Sequence, residues 1–343
     1  MDEPQSRQWF KGEQRVLLPG LRMLVPRRRA RWQWKSLFCL LTGLPRRSIL
    51  TKSAADMTQT PDDTSPAAAF DPARDGAKMG FADAMSYGDY LRIDTLLGQQ
   101  HCLSDAHDEL LFIIQHQTSE LWMKLAIHEL GAARDALLSD DTATMFKMLA
   151  RVSRILEQLN NQWDVLRTMT PADYTRFREA LGPSSGFQSY QYRQIEYILG
   201  NRNTHMMHPH DHLPEVRGVL EAELARPSFY DEVVTLLFRT VDGDTAAMPA
   251  PQLDSPHTAV PEIQARWKVV YEDIETYWTL YELGEKLMDL EDYFRRWRFN
   301  HVTTVERVIG FKRGTGGTSG VAYLRRMLGV ELFPELWHLR GEL

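Results

Sequence analysis

The stretch MFKMLARVSRILEQLNNQWDVL, residues 145–166, decides the fold. Met145, Leu149, Val152, Leu156, Leu159, Trp163 and Leu166 recur at alternating spacings of four and three, the stripe of a helix packed in a bundle. A half-buried strand would alternate at every second residue, and that pattern is nearly absent from the chain. Toward the N-terminus the same reasoning predicts a helix over residues 104–138. Ser104 is placed to cap it, and Leu111, Ile114, Thr118, Leu121 and Leu125 lie along one face.

Toward the C-terminus, Gly182, Pro183, Ser184, Ser185 and Gly186 force a loop, and a helix over about 187–199 follows. Residues 242–261, with four prolines, read as a second long connection. Helical periodicity then resumes with Ile263, Trp267, Val270, Ile274 and Tyr277. A last stripe runs Leu283, Leu287, Leu290, Phe294, Trp297, His301, Val305 and Val308 before Gly310 closes the helix. The expectation is an all-α protein, a single helical bundle domain over residues 79–343.

The first 78 residues read differently. Residues 1–55 hold 12 Lys or Arg against 3 Asp or Glu, a local +9, so the rest of the chain carries the −15 that brings the total to −6. An acidic body argues against nucleic acid as a partner, because phosphate binding needs a positive face. The apolar residues 36–44 lie too deep behind the basic region for a secretory signal, and Met57 is an alternative start that would make the arm non-native. From Thr58 to Lys78 the composition turns to Pro, Asp, Thr, Ala and Gly and reads as a disordered linker. Cys39 and Cys102 form no motif, and no run of about 18 apolar residues occurs, so the expectation is a cytoplasmic protein with no membrane partner.

Several side chains carry chemistry. His301 falls on the buried stripe, where a neutral imidazole must hydrogen-bond or bind something. The position permits an axial heme ligand, but taken alone it is more often that of a satisfied core histidine. Without a Cys-x-x-Cys-His motif any heme is held noncovalently. Phe112 and His116 lie one turn apart, as do Tyr174 and Arg178, whose planar fork is built to grip a carboxylate. Residues 314–320, Gly-Thr-Gly-Gly-Thr-Ser-Gly, lack the Lys-Ser/Thr ending of a phosphate loop and remain either a lid over a polar ligand or a solvent loop. His205, His208, His210 and His212 fit no standard zinc spacing and read as a polar interhelical segment.

Four motifs in order complete the picture: FIIQHQTSELW at 112–122, SSGFQS at 184–189, WRFNHV at 297–302 and GTGGTSG at 314–320. Together they resemble the tryptophan 2,3-dioxygenase family, from about Phe81 to near the C-terminus. The resemblance implies a homotetramer in which each subunit holds one heme b and, with O2, opens the C2–C3 bond of L-tryptophan to give N-formyl-L-kynurenine, the first step of the kynurenine pathway. By position it implies His301 as the axial ligand of the heme iron, with Ser185 and Gly186 beside the heme edge. Phe112, Ile113, Ile114, Gln115 and His116 match the distal wall, where His116 accepts the indole N–H. Related indoleamine dioxygenases carry serine there, so His116 favours the tryptophan-specific branch. Arg178 matches the residue that holds the substrate carboxylate, Tyr174 lines the same pocket, and Thr315 meets the ammonium group. Tyr87, Tyr90 and Leu91 resemble the segment that reaches into a neighbouring subunit's site. A heme sensor without turnover and a cofactor-free helical scaffold are the rival readings.

Overall fold

The stripe from Met145 to Leu166 is buried along its whole length, with Met145 and Leu149 at 0% exposure. It belongs to a computed structural model that describes residues 71–343, in which thirteen α-helices follow one another with no strand. In chain order they are α1 (Tyr87–Leu91), α2 (Ile93–Leu97), α3 (His107–Leu138), α4 (Thr142–Asn161), α5 (Trp163–Leu166), α6 (Pro171–Phe177) and α7 (Tyr190–Ile198). Then come α8 (Pro214–Leu224), α9 (Phe229–Val241), α10 (Pro261–Glu272), α11 (Trp278–Val308), α12 (Val321–Met327) and α13 (Pro334–Leu339). All lie in residues 81–343, which form one compact unit. The all-α reading holds for the described residues. An isolated bridge joins Asn201 to Pro256, and no helix described is long and apolar enough to cross a membrane.

The long helices set the frame. Only Ser139, Asp140 and Asp141 separate α3 from α4, so the two fold back against each other, and α4 in turn packs along α11. Asp141 caps α4 by accepting from the Thr144 amide at 3.0 Å. The shared core gathers Leu130, Leu149, Leu237, Trp267 and Leu287, each at 0% exposure. Burial at about 25 cal/mol per Å² of apolar surface makes this cluster the main stabilising element. Gly310 ends α11 in the left-handed region at φ +74 and donates to the Val305 carbonyl at 2.9 Å, as its place after the stripe predicts.

Elsewhere the structure departs from the sequence reading. On α3, Ile114 and Leu121 are 46% and 50% exposed, and the core face is instead Met123, Ala126, Leu130, Ala133 and Leu137. This helix carries apolar residues around most of its circumference, so periodicity did not select a face. Ser104 does not cap α3: its amide and hydroxyl, with the Leu103 amide, bond the buried Glu109 carboxylate at 2.5–2.8 Å. α7 starts at Tyr190, three residues later than expected, because Ser189 accepts from the Tyr192 amide and 186–188 form a 3-10 turn. The stripe through Ile274 and Tyr277 is broken, since α10 ends at Glu272. At the end of the stretch read as a linker, Asp71 caps a 3-10 turn at Pro72–Asp75. The basic arm, Cys39, residues 36–44, Met57 and linker residues 58–70 lie outside the described residues.

Candidate active site

One cavity of about 510 Å³ opens among α3, α6, α11 and the loops at 184–189 and 314–320. His301 enters it from α11. The imidazole stacks on Trp163, ring centroids 5.2 Å apart at 22°, and meets Trp297 at 5.5 Å and 56°. Burial holds its pKa down at about 4, with His116 adding to the shift, so the ring is neutral. Neither ring nitrogen has a hydrogen-bond partner among the described residues. A neutral, unpartnered imidazole facing an apolar cavity fits the donor that a heme iron takes, and Leu166, Met169, Val305 and Val308 supply apolar walls.

α3 supplies a second wall through Phe112, Gln115, His116 and Ser119, residues at helical spacing on one face. His116 Nδ1 lies 2.7 Å from the Phe112 carbonyl oxygen. A carbonyl can only accept, so Nδ1 carries the proton and Nε2 keeps its lone pair. Burial lowers the His116 pKa, opposed by this hydrogen bond and by the Glu120 carboxylate. The Phe112 ring packs on Tyr174 and Phe177 at 6.3 and 5.5 Å, joining this wall to α6. Ile113 and Ile114 do not line the cavity; at this helical register they turn away from it.

α6 brings Tyr174, 4% exposed, to the cavity. Arg178 follows α6 and is not among the residues lining the cavity; its guanidinium lies 5.7 Å from the Tyr174 ring. Burial raises the Tyr174 phenol pKa and Arg178 draws it back. Arg178 Nη2 donates to the Arg313 carbonyl at 2.8 Å, and Nη1 is buried without a partner among the described residues. Such a buried donor costs about 1–3 kcal/mol until an acceptor arrives.

The two loops meet at the mouth. Thr315 Oγ1 donates to the Ser184 carbonyl at 2.5 Å. A Cβ on Gly316 would stand 2.9 Å from the Ser185 Cβ, so only glycine allows this approach. Ser185 and Gly186 line the cavity, and Gln188 fixes their loop by accepting from the Ser185 amide at 3.1 Å.

Tyr87, Tyr90 and Leu91 are not part of this cavity. They stand on α1 with exposures of 76%, 74% and 42%, on a helix start closed by reciprocal Ser86–Asp89 bonds. In the histidine cluster, His205 and His208 lie with ring centroids 6.3 Å apart and His208 meets Asp211, while His210 is buried at 3% exposure. No three ligand-type side chains among the described residues are grouped to hold a metal ion. Sequence reasoning passed over Trp163, Trp297 and Glu120 as site residues. Trp163 and Trp297 fall on core stripes, Trp297 also opening the WRFNHV motif, and Glu120 sits one turn beyond His116, the one signal that flags it.

Comparison with known proteins follows the same residues. A family profile described as Tryptophan 2,3-dioxygenase matches residues 72–223 and 262–343, so the match begins somewhat before Phe81. A protein named Tryptophan 2,3-dioxygenase from Ruegeria sp. (strain TM1040) is 78% identical over 275 residues, covering 80% of this chain and 99% of the relative. Proteins of that name from Ruegeria pomeroyi and Bradyrhizobium diazoefficiens are 66% and 65% identical, covering 80% and 79% of this chain and 99% and 97% of their own lengths. The chain belongs to the tryptophan 2,3-dioxygenase family.

Proposed function

We propose that this chain, as a cytoplasmic homotetramer, binds one heme b per subunit noncovalently through His301 and uses O2 to cleave the C2–C3 bond of L-tryptophan, giving N-formyl-L-kynurenine and opening the kynurenine pathway. The observation that carries the proposal is the neutral His301 imidazole, unpartnered among the described residues, at the wall of an apolar cavity that also holds the His116 acceptor. Heme bound there supplies the iron that activates dioxygen, both atoms of which enter the product.

The protein's own residues do the positioning. His116 Nε2 accepts the indole N–H, while Phe112 lies against the ring. The free Arg178 Nη1, with movement of Nη2 off the Arg313 carbonyl, grips the carboxylate as a fork. Thr315 spends its hydroxyl proton on Ser184, which leaves its lone pairs to accept from the substrate ammonium. Holding both ends of the amino acid turns an encounter into an almost unimolecular reaction. Tyr87, Tyr90 and Leu91, exposed on their own subunit, cover the neighbouring site. A heme sensor has no use for the carboxylate and ammonium groups' partners.

The test is an absorption spectrum of the heme-supplemented protein with and without L-tryptophan, followed by a product assay. Wild type gives a Soret band and N-formyl-L-kynurenine; His301→Ala gives neither. A His301→Ala protein with full heme and normal turnover refutes the assignment.

A further inference from the structure

We infer that Trp163 is the positioning residue that fixes the plane of the His301 imidazole. A metal-bound histidine almost always donates its second ring N–H to a carboxylate, carbonyl or water, and that bond sets the ring's rotation. Here no side chain or carbonyl among the described residues plays that part for His301. What meets the ring is the Trp163 indole, near-parallel at 22° and 5.2 Å, and 8% exposed. A quarter turn of the imidazole drives its edge into that face, so the stack resists rotation that apolar walls of irregular shape allow.

The indole is itself held. Trp163 starts α5, packed on α4 and α11, and meets Trp297 at 5.6 Å and 58°. Trp297 in turn lies against Tyr192 at 5.0 Å, and Tyr192 stacks on Phe294 at 5.5 Å and 9°. Arg298 closes the set, donating from Nε to the Tyr192 hydroxyl at 3.3 Å and from Nη2 to the buried Glu196 at 3.1 Å. Trp163 Nε1 has no hydrogen-bond partner among the described residues. Its place is therefore set by packing, and the flat face is the feature a replacement must keep.

The inference rests on His301 holding the heme. The experiment compares Trp163→Phe, which keeps an aromatic face, with Trp163→Met, which keeps apolar bulk without one. Both are read at matched heme content and with the melting temperature recorded. The main readout is the g-anisotropy of the low-spin ferric cyanide complex by electron paramagnetic resonance, which follows the orientation of the ligand plane. Trp163→Phe is expected to keep the wild-type anisotropy. Trp163→Met is expected to show a broadened or shifted spectrum and a kcat lower by about tenfold, the scale of outer partners of metal ligands, with KM for L-tryptophan unchanged. A wild-type spectrum from heme-loaded Trp163→Met overturns the inference, as does a Trp163→Phe protein as disturbed as Trp163→Met. If Trp163→Met takes up no heme, Trp163→Phe decides alone: wild-type anisotropy supports the stack and altered anisotropy overturns it. A wild-type protein that binds no heme refutes the heme reading instead.

Discussion

His116 Nδ1 donates to the Phe112 carbonyl oxygen across 2.7 Å, and this one bond decides which end of the distal imidazole can act. With Nδ1 protonated and the ring neutral, Nε2 is an acceptor toward the cavity. Protonation would turn it into a donor and, in the proposed site, oppose the indole N–H.

The first prediction is therefore a pH profile. Burial places the His116 pKa below its ordinary 6.5, so the accepting form persists below that value and kcat/KM falls only as pH drops through the lowered pKa. The sign for stability is the same: the contribution of this neutral buried histidine is present above the unfolded pKa and is lost on acidification. His116→Ala should keep heme, lose about 1–3 kcal/mol of transition-state binding, and lack this acid limb. A kcat/KM limb centred above 6.5 contradicts the assignment.

The second concerns Arg178. Charge-assisted hydrogen bonds contribute about 1.5–3 kcal/mol each, so Arg178→Ala should cost roughly tenfold to several hundredfold in kcat/KM. Lysine keeps the charge without the fork and should restore only part. Tryptamine lacks the carboxylate, so Arg178→Ala should discriminate little between it and L-tryptophan. An unchanged preference for L-tryptophan would place the carboxylate elsewhere.

Gly316→Ala tests the closure of the mouth. Its Cβ would crowd the Ser185 Cβ, and the loops must part to admit it. Overpacking of this kind costs about 1 kcal/mol or more, at least roughly fivefold in KM for L-tryptophan, while heme content stays at the wild-type level. Unchanged KM would mean the two loops do not close as a unit.

Truncation separates the unmatched arm from the family domain. The family match begins at residue 72, so removal of residues 1–56 is expected to leave heme content and kcat unaltered. Cutting on through Leu91 also removes Tyr87 and Tyr90 and is expected to lower activity at equal heme content. Equal activity of the two proteins would dismiss the shared site.

The helical architecture was legible because the stripes from Met145 to Leu166 and from Leu283 to Val308 each commit to one face at a single period. The α3 face was not legible, because a helix apolar on most sides leaves the choice to its neighbours. The sequence by itself determined the helical class, the inward place of His301, the turn-apart pairs Phe112–His116 and Tyr174–Arg178, and the family through four ordered motifs. Only the tertiary structure decided that Trp163 stacks on His301, 138 residues away in sequence, that the His116 lone pair is the one on Nε2, and that Arg178 keeps a buried donor that meets no acceptor among the described residues. The physical reason is common to all three. Periodicity fixes which side of a helix a residue occupies, whereas ring orientation, tautomer and unpaired donors depend on atoms contributed by other segments.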